Sequence, residues 1–217
     1  MRRVLTVLIG IALSLLVIGV SVSLLTGRAF TGLLAARFSL AAEARLPPQR
    51  MLQIAEQVRE FVVEGDVRSL PATVDGRPGF DAAAVSHLRD VRRVLSGSRS
   101  VTGALAALIA VWFGLHVARK RTAGIASALR AAAVASASVV VLAMLIAAID
   151  FERFFAAFHS LFFNSGTWTF PSDSLLIQTF PEPFWVTAGV TWGGLVLVFA
   201  AALWLTARFV DGVKRGV

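Results

Sequence analysis

Four long runs of apolar residues divide this chain: Val4 to Leu25, Val101 to Ala118, Ala131 to Ile149 and Phe184 to Ala207. The first, third and fourth carry no charge, and the second carries only His116 near its end. About 20 apolar residues in a helix cross the hydrocarbon core of a bilayer. The pattern therefore predicts a mainly α, polytopic membrane protein with four transmembrane helices. Between the runs lie two segments of different character. Residues 27–99 are polar with local helical periodicity, and residues 150–183 are dense in aromatics. The expected order is helix 1 over 1–26, a small helical extracytoplasmic domain over 27–99, helix 2 over 100–118 and a cytoplasmic loop over 119–130. Helix 3 over 131–149, an interfacial aromatic loop over 150–183, helix 4 over 184–207 and a tail over 208–217 complete it.

Charge gives this order a direction. Arg2 and Arg3 precede the first run, Arg119, Lys120, Arg121 and Arg130 flank the second connection, and Arg208, Lys214 and Arg215 follow the last run. These nine basic residues face a single acid, Asp211. Basic residues near short loops stay in the cytoplasm, whereas long loops translocate largely regardless of charge. Both termini are then cytoplasmic, and 27–99 and 150–183 lie outside. The net charge of +8 falls on the cytoplasmic side and points to anionic lipid, with no call for nucleic acid. The first run is longer than the apolar core of about 7–15 residues in a signal peptide, and no small-residue cleavage site follows. A retained anchor is expected.

Within 27–99, Pro47-Pro48 separates two stretches. Met51 to Val63 places Ile54, Val58 and Phe61 or Val62 on one helical face, with Glu56, Gln57, Arg59 and Glu60 mostly on the other. Gly65-Asp66 stops it, and residues 66–79 read as a loop. Asp81 is a candidate N-cap for a helix from Ala82 to Leu95. His87, Leu88, Val91, Val94 and Leu95 share its apolar side, and Arg89, Arg92 and Arg93 point away. Ser96-Gly97-Ser98 reads as a break before the second membrane helix. In 150–183, Pro171, Pro181 and Pro183 predict irregular backbone at the outer interface, where aromatics concentrate. Irregular backbone at that depth needs protein or water around it, so this segment is expected to line a cavity.

The chain has no Cys and no Tyr. Disulfides, thiol nucleophiles and Cys–metal sites are excluded. Near neutral pH, proton transfer is left to His87, His116, His159 and any carboxylate with a raised pKa. His116 lies at the cytoplasmic end of the second run and reads as interfacial. His87 and His159 both fall on the outer side, with Asp90 three residues after the first and Asp173 fourteen after the second. Histidine with an orienting carboxylate is the usual form of a general base. Each member also has a structural reading: His87 as a satisfied core ring, His159 as interfacial packing, Asp90 as a surface partner of Arg93, Asp173 as an Asx turn. Ser160 and Ser174 lack the G-x-S-x-G setting of a nucleophile, and no metal-ligand spacing or cofactor motif appears.

Two motifs carry a resemblance. One is Phe158-His159-x-x-Phe162-Phe163-x-x-x-x-Trp168, followed by Asp173-Ser174-Leu175-Leu176 and Phe180-Pro181-Glu182-x-Phe184-Trp185. The other is His87-x-x-Asp90-Val91-Arg92. In residues and order the chain resembles a family of small bacterial integral membrane proteins that includes the lipoprotein intramolecular transacylase. A family acid just before the first histidine is replaced here by Ala82, Ala83 and Ala84. The resemblance implies a bacterial cytoplasmic-membrane enzyme with its active site on the outer face. Its partners would be membrane lipid and a diacylated lipoprotein. It would move the sn-2 acyl chain onto the N-terminal cysteine amine, giving a lyso-form lipoprotein. His159 and His87 are then the expected acid/base pair, Asp90 and Asp173 orienting acids, Asn164 and Trp168 hydrogen-bond donors to the ester region, and Phe158, Phe162 and Phe163 a wall for acyl chains. No cofactor or metal is implied. The competing class is a non-enzymatic membrane scaffold or sensor, which would tolerate loss of either histidine.

Overall fold

The structure, a computed structural model, describes residues 2–65, 69–119 and 122–215. Four helices are long and apolar enough to cross a membrane: α1 (Arg2–Leu25), α4 (Ala82–Ala118), α5 (Thr122–Ile149) and α8 (Glu182–Arg215). Four shorter helices fill the intervening chain: α2 (Arg28–Phe38), α3 (Pro48–Arg59), α6 (Phe151–Ser160) and α7 (Leu175–Thr179). A π-turn (Glu60–Glu64) extends α3, and β1 (Thr73–Val74) pairs antiparallel with β2 (Arg77–Pro78). By internal contacts the chain forms two compact units.

The first unit comprises residues 1–23, 98–146 and 191–217. Its buried residues are small or aliphatic: Leu13, Ile109, Ile125, Ala126, Ala128, Leu129, Ala132 and Ala207. Small residues let membrane helices approach closely, because lipid offers no hydrophobic drive for their association. A Cβ on Gly10 of α1 would lie 2.7 Å from the Ala131 Cβ of α5, so only glycine fits there. Polar side chains add direct ties. Ser136 Oγ donates to Ser14 Oγ at 3.0 Å, and Arg130 of α5 pairs with Asp211 of α8. Outward-facing Leu108, Leu142, Val198 and Leu205 are all about 60% exposed or more. That surface is costly in water and suits acyl chains.

Several expected boundaries move. Ser96-Gly97-Ser98 does not end a helix; α4 runs through it for 37 residues. The hydroxyls join the helix, with Ser96 Oγ donating to the Arg93 carbonyl and Thr102 Oγ1 to that of Ser98. A lone interior glycine costs only about 1 kcal/mol, too little to end so long a helix, and a Cβ on Gly97 would meet nothing within 4 Å. Likewise α5 starts at Thr122, so Arg130 lies inside a helix rather than a loop, and α8 carries most of the expected tail to Arg215. Lys120, Arg121, Gly216 and Val217 lie outside the described residues, as does Asp66 of the expected Gly65-Asp66 stop.

The second unit comprises residues 24–97 and 147–190. Its core gathers Met51, Ile54, Val58 and Phe61 from α3 and its π-turn, Val74 and Phe80 from the hairpin, and Leu88 from α4. Leu175, Leu176, Phe180 and Phe184 complete it. The predicted apolar face of α3 is thus the packed one. Pro48 occupies the first turn of α3, where its missing N–H costs nothing. Arg59 departs from its expected place on the polar face. Its side chain is only 7% exposed, and its guanidinium bonds Glu56 at 2.8 Å and Glu64 at 2.6 Å. The π-turn widens the helix after Arg59 and returns Glu64 to it. Asp81 caps α4 by accepting from the Ala84 N–H at 2.7 Å, which fits the predicted start. The 150–183 segment is only partly irregular, since α6 and α7 each begin at a side-chain cap, Asp150 and Ser174.

Candidate active site

Two helices of the second unit each present a histidine. The capped first turn of α4 leads to His87, which is 8% exposed on the side shared with buried Leu88. The last turn of α6 carries His159. The two rings stack with centroids 6.2 Å apart and planes inclined by 29°. Aromatics enclose them. Phe163 sits edge-on to His87 at 5.0 Å and lies 5.6 Å from His159, and Phe170 is 5.6 Å from His87. Phe155, Trp168 and Phe158 stand 4.0, 4.9 and 5.6 Å from His159.

Hydrogen bonding assigns the proton on His159. Its Nδ1 lies 2.8 Å from the Phe155 carbonyl oxygen. A carbonyl only accepts, so Nδ1 carries the hydrogen and the neutral ring keeps its lone pair on Nε2. The orienting group is therefore a backbone carbonyl four residues earlier on α6, not a carboxylate. Two buried polar atoms in the cluster, His87 Nδ1 and Trp168 Nε1, have no hydrogen-bond partner among the described residues. Orphaned polar groups in a packed interior are rare and call for a ligand or water.

Electrostatics favour neutral rings. Burial pushes His159 below the usual histidine pKa, partly opposed by the Phe155 carbonyl. His87 lies fourteen residues before the apolar run of α4. It is pushed down to about 4, first by burial and then by repulsion from His159, against a smaller upward pull from Asp90. A low-dielectric site disfavours the charged form, and two imidazolium rings at this separation would repel. Near pH 7 both rings are free to accept a proton.

The other expected site residues divide. Trp168, Phe158 and Phe163 touch the histidines. Phe162 touches Phe158 at 5.2 Å and Phe163 at 6.2 Å, one layer out. Asp90 bonds Arg93 at 2.6 Å and is half-buried, so it reaches His87 through its field alone. Asp173 is exposed in the turn before α7, where Ser174 makes the helix cap, and it has no hydrogen bond or ion pair with either histidine. Asn164 is exposed, and its carbonyl accepts from Thr167. Phe155 and Phe170 were not foreseen. Phe155 precedes His159 by one helical turn, a relation visible once the segment is read as a helix. Among the described residues no group of three or more metal-binding side chains lies together.

Four apolar helices of spanning length define a class: a multi-pass membrane protein, here with a pair of histidines held in an aromatic cage. The chain belongs to the lipoprotein intramolecular transacylase family, Lit, whose family model matches residues 6–185. Solved structures agree on the fold. The Lit transacylase from Bacillus cereus superposes with a TM-score of 0.83 at 18% identity, over 100% of this chain and 99% of that one. The same enzyme with a histidine-to-alanine substitution gives 0.76 at 17% identity, over 100% and 96%. Its histidine-to-arginine variant gives 0.75 at 17%, over 99% and 94%. No curated protein matches the chain.

Proposed function

We propose that this protein moves an acyl chain within a diacylated lipoprotein, from the glyceryl sn-2 oxygen to the amine of the N-terminal cysteine. The product is a lyso-form lipoprotein. The observation that carries this reading is the stacked His87–His159 pair, caged by aromatics in a member of the transacylase family.

The chemistry needs little beyond these residues. The attacking amine and the ester belong to one substrate, so proximity is largely built in. His159 Nε2 takes a proton from the ammonium. The freed amine attacks the sn-2 carbonyl carbon, and the tetrahedral oxyanion accepts a hydrogen bond from the unpartnered Trp168 N–H. Collapse breaks the ester C–O bond and leaves the amide C–N bond. The nitrogen of the tetrahedral intermediate gives up its surplus proton to the histidine pair, with His87 as second carrier, and that proton goes to the departing glyceryl oxygen; the proton first taken from the ammonium leaves to solvent. From the free amine the reaction is an isomerisation, so no co-reactant or cofactor enters its balance. Phe158, Phe162 and Phe163 offer apolar wall to the acyl chains. Asp90 tunes His87 through its field, and the exposed Asn164 amide would donate to the glyceryl oxygens. The cytoplasmic bias of the basic residues supports both termini inside and this site on the outer face.

The test is mass spectrometry of lipoprotein N-termini from a host that makes diacyl lipoproteins, with and without this protein. The expected product has unchanged mass and one acyl chain on nitrogen. Lipopeptides that keep both chains on oxygen would overturn the proposal.

A further inference from the structure

We propose that a groove on the opposite side of α4 binds the phosphate of an anionic phospholipid headgroup. Arg89, Arg92, Arg93 and Ser96 follow one another at helical spacing along one face, roughly half a turn around the axis from His87. With Phe61 of the π-turn they line a groove of about 290 Å³. The substrate's diacylglyceryl-cysteine carries no phosphate, so this is a second ligand, independent of the histidine site.

Three observations support it. First, part of the charge is uncompensated by the described residues. Among the described residues Arg93 pairs with Asp90, while neither Arg89 nor Arg92 has an acidic partner. Like charges at this spacing destabilise a helix, and a bound anion removes that repulsion. Second, one of the guanidinium groups is positioned in advance. Arg92 packs against Gly65, which has φ +78°. Any Cβ there would collide with the guanidinium, so the glycine serves both the left-handed turn and the close approach. Planar guanidinium forks match phosphate oxygens in pairs. Third, the groove opens towards the membrane end of this part of α4. Ser96, Arg93, Arg92 and Arg89 precede the uncharged run at Val101 by about 8, 12, 14 and 18 Å along the helix. The headgroup layer on each side of the hydrocarbon is roughly 5–8 Å thick, so Ser96 stands at its outer edge and the arginines face it from just outside.

The full-length protein, reconstituted in phosphatidylcholine nanodiscs containing phosphatidylglycerol and released for native mass spectrometry, provides the test. Wild type is expected to retain phosphatidylglycerol in preference to phosphatidylcholine. Arg89→Gln with Arg92→Gln should reduce that retention roughly tenfold or more, given what juxtamembrane arginines contribute. Ser96→Glu, which leaves the arginines in place and adds an anion to the groove, should reduce it too, and it serves if the double variant does not fold. Arg37→Gln with Arg153→Gln removes equal charge elsewhere and should change nothing. Equal retention in wild type and the groove variants would overturn the proposal. So would displacement of the lipid by millimolar inorganic phosphate, which would make this a site for soluble anions.

Discussion

His87 and His159 stand 72 positions apart in the sequence, yet their rings stack at 6.2 Å with Phe163 touching both. With the substrate bridging the ring edges, a proton is expected to pass from one to the other, so the pair is expected to work as a unit. His159→Asn and His87→Asn should each lower transacylation by about 10²–10⁴-fold while the protein stays folded. The double variant should cost little more than the worse single one, since groups acting together are not additive. Ser160→Ala and Ser174→Ala should keep activity. A trapped acyl-enzyme in either serine background would replace the direct shift with a covalent route.

The pH profile follows from the direction of both shifts. A base works when unprotonated, so the acid limb of kcat/KM should fall below the ordinary histidine range and leave the rate flat at pH 7. Asp90→Asn removes an upward pull on His87 and should move that limb to lower pH. Stability carries the same sign. The folded pKa of His87 is depressed from 6.5 to about 4, so the unfolded chain takes up the proton first. Neutral His87 contributes fully above about pH 6.5, and that contribution is lost as the pH falls towards 4. Thermal unfolding across this range, compared with His87→Gln, isolates the effect.

Trp168→Phe keeps an aromatic ring against His159 but deletes the N–H that has no partner among the described residues. If that N–H meets the oxyanion, kcat should fall by about 10²-fold or more with KM little changed. A proportionate rise in KM alone would make Trp168 a binding wall. Asp173→Asn, exposed and unbonded to either histidine, should change neither.

Arg59→Ala should destabilise the second unit by about 1–3 kcal/mol, because it leaves Glu56 with only the exposed Arg28 as partner and a buried site without its main ion pair. The exposure of Glu64, 44%, keeps the figure at the modest end. The unfolding midpoint of detergent-solubilised protein measures it. Arg37→Ala, on the exposed surface, should leave the midpoint unchanged.

Orientation is open to direct labelling because the chain has no cysteine. Asp75→Cys should react with a membrane-impermeant thiol reagent in intact cells, and Arg119→Cys should not. The reverse pattern would put the histidines on the cytoplasmic face, away from mature lipoproteins.

What the sequence determined by itself is local. Uncharged runs of bilayer length specified the four spanning helices. Asp81 announced the start of α4, because a carboxylate there satisfies an N–H that has no other partner. The apolar periodicity of α3 named Ile54, Val58 and Phe61, since a helix must bury that face. The motif around His159 pointed to the chemistry and the family. Tertiary structure decided what depends on neighbours distant in the chain. It shows α4 running through Ser96-Gly97-Ser98, where one glycine's cost of about 1 kcal/mol is too small to end a helix of 37 residues. It buried Arg59, which a π-turn and two glutamates enclose. And it brought Phe170 and Phe163 against His87, a contact between segments some eighty residues apart that no local pattern encodes.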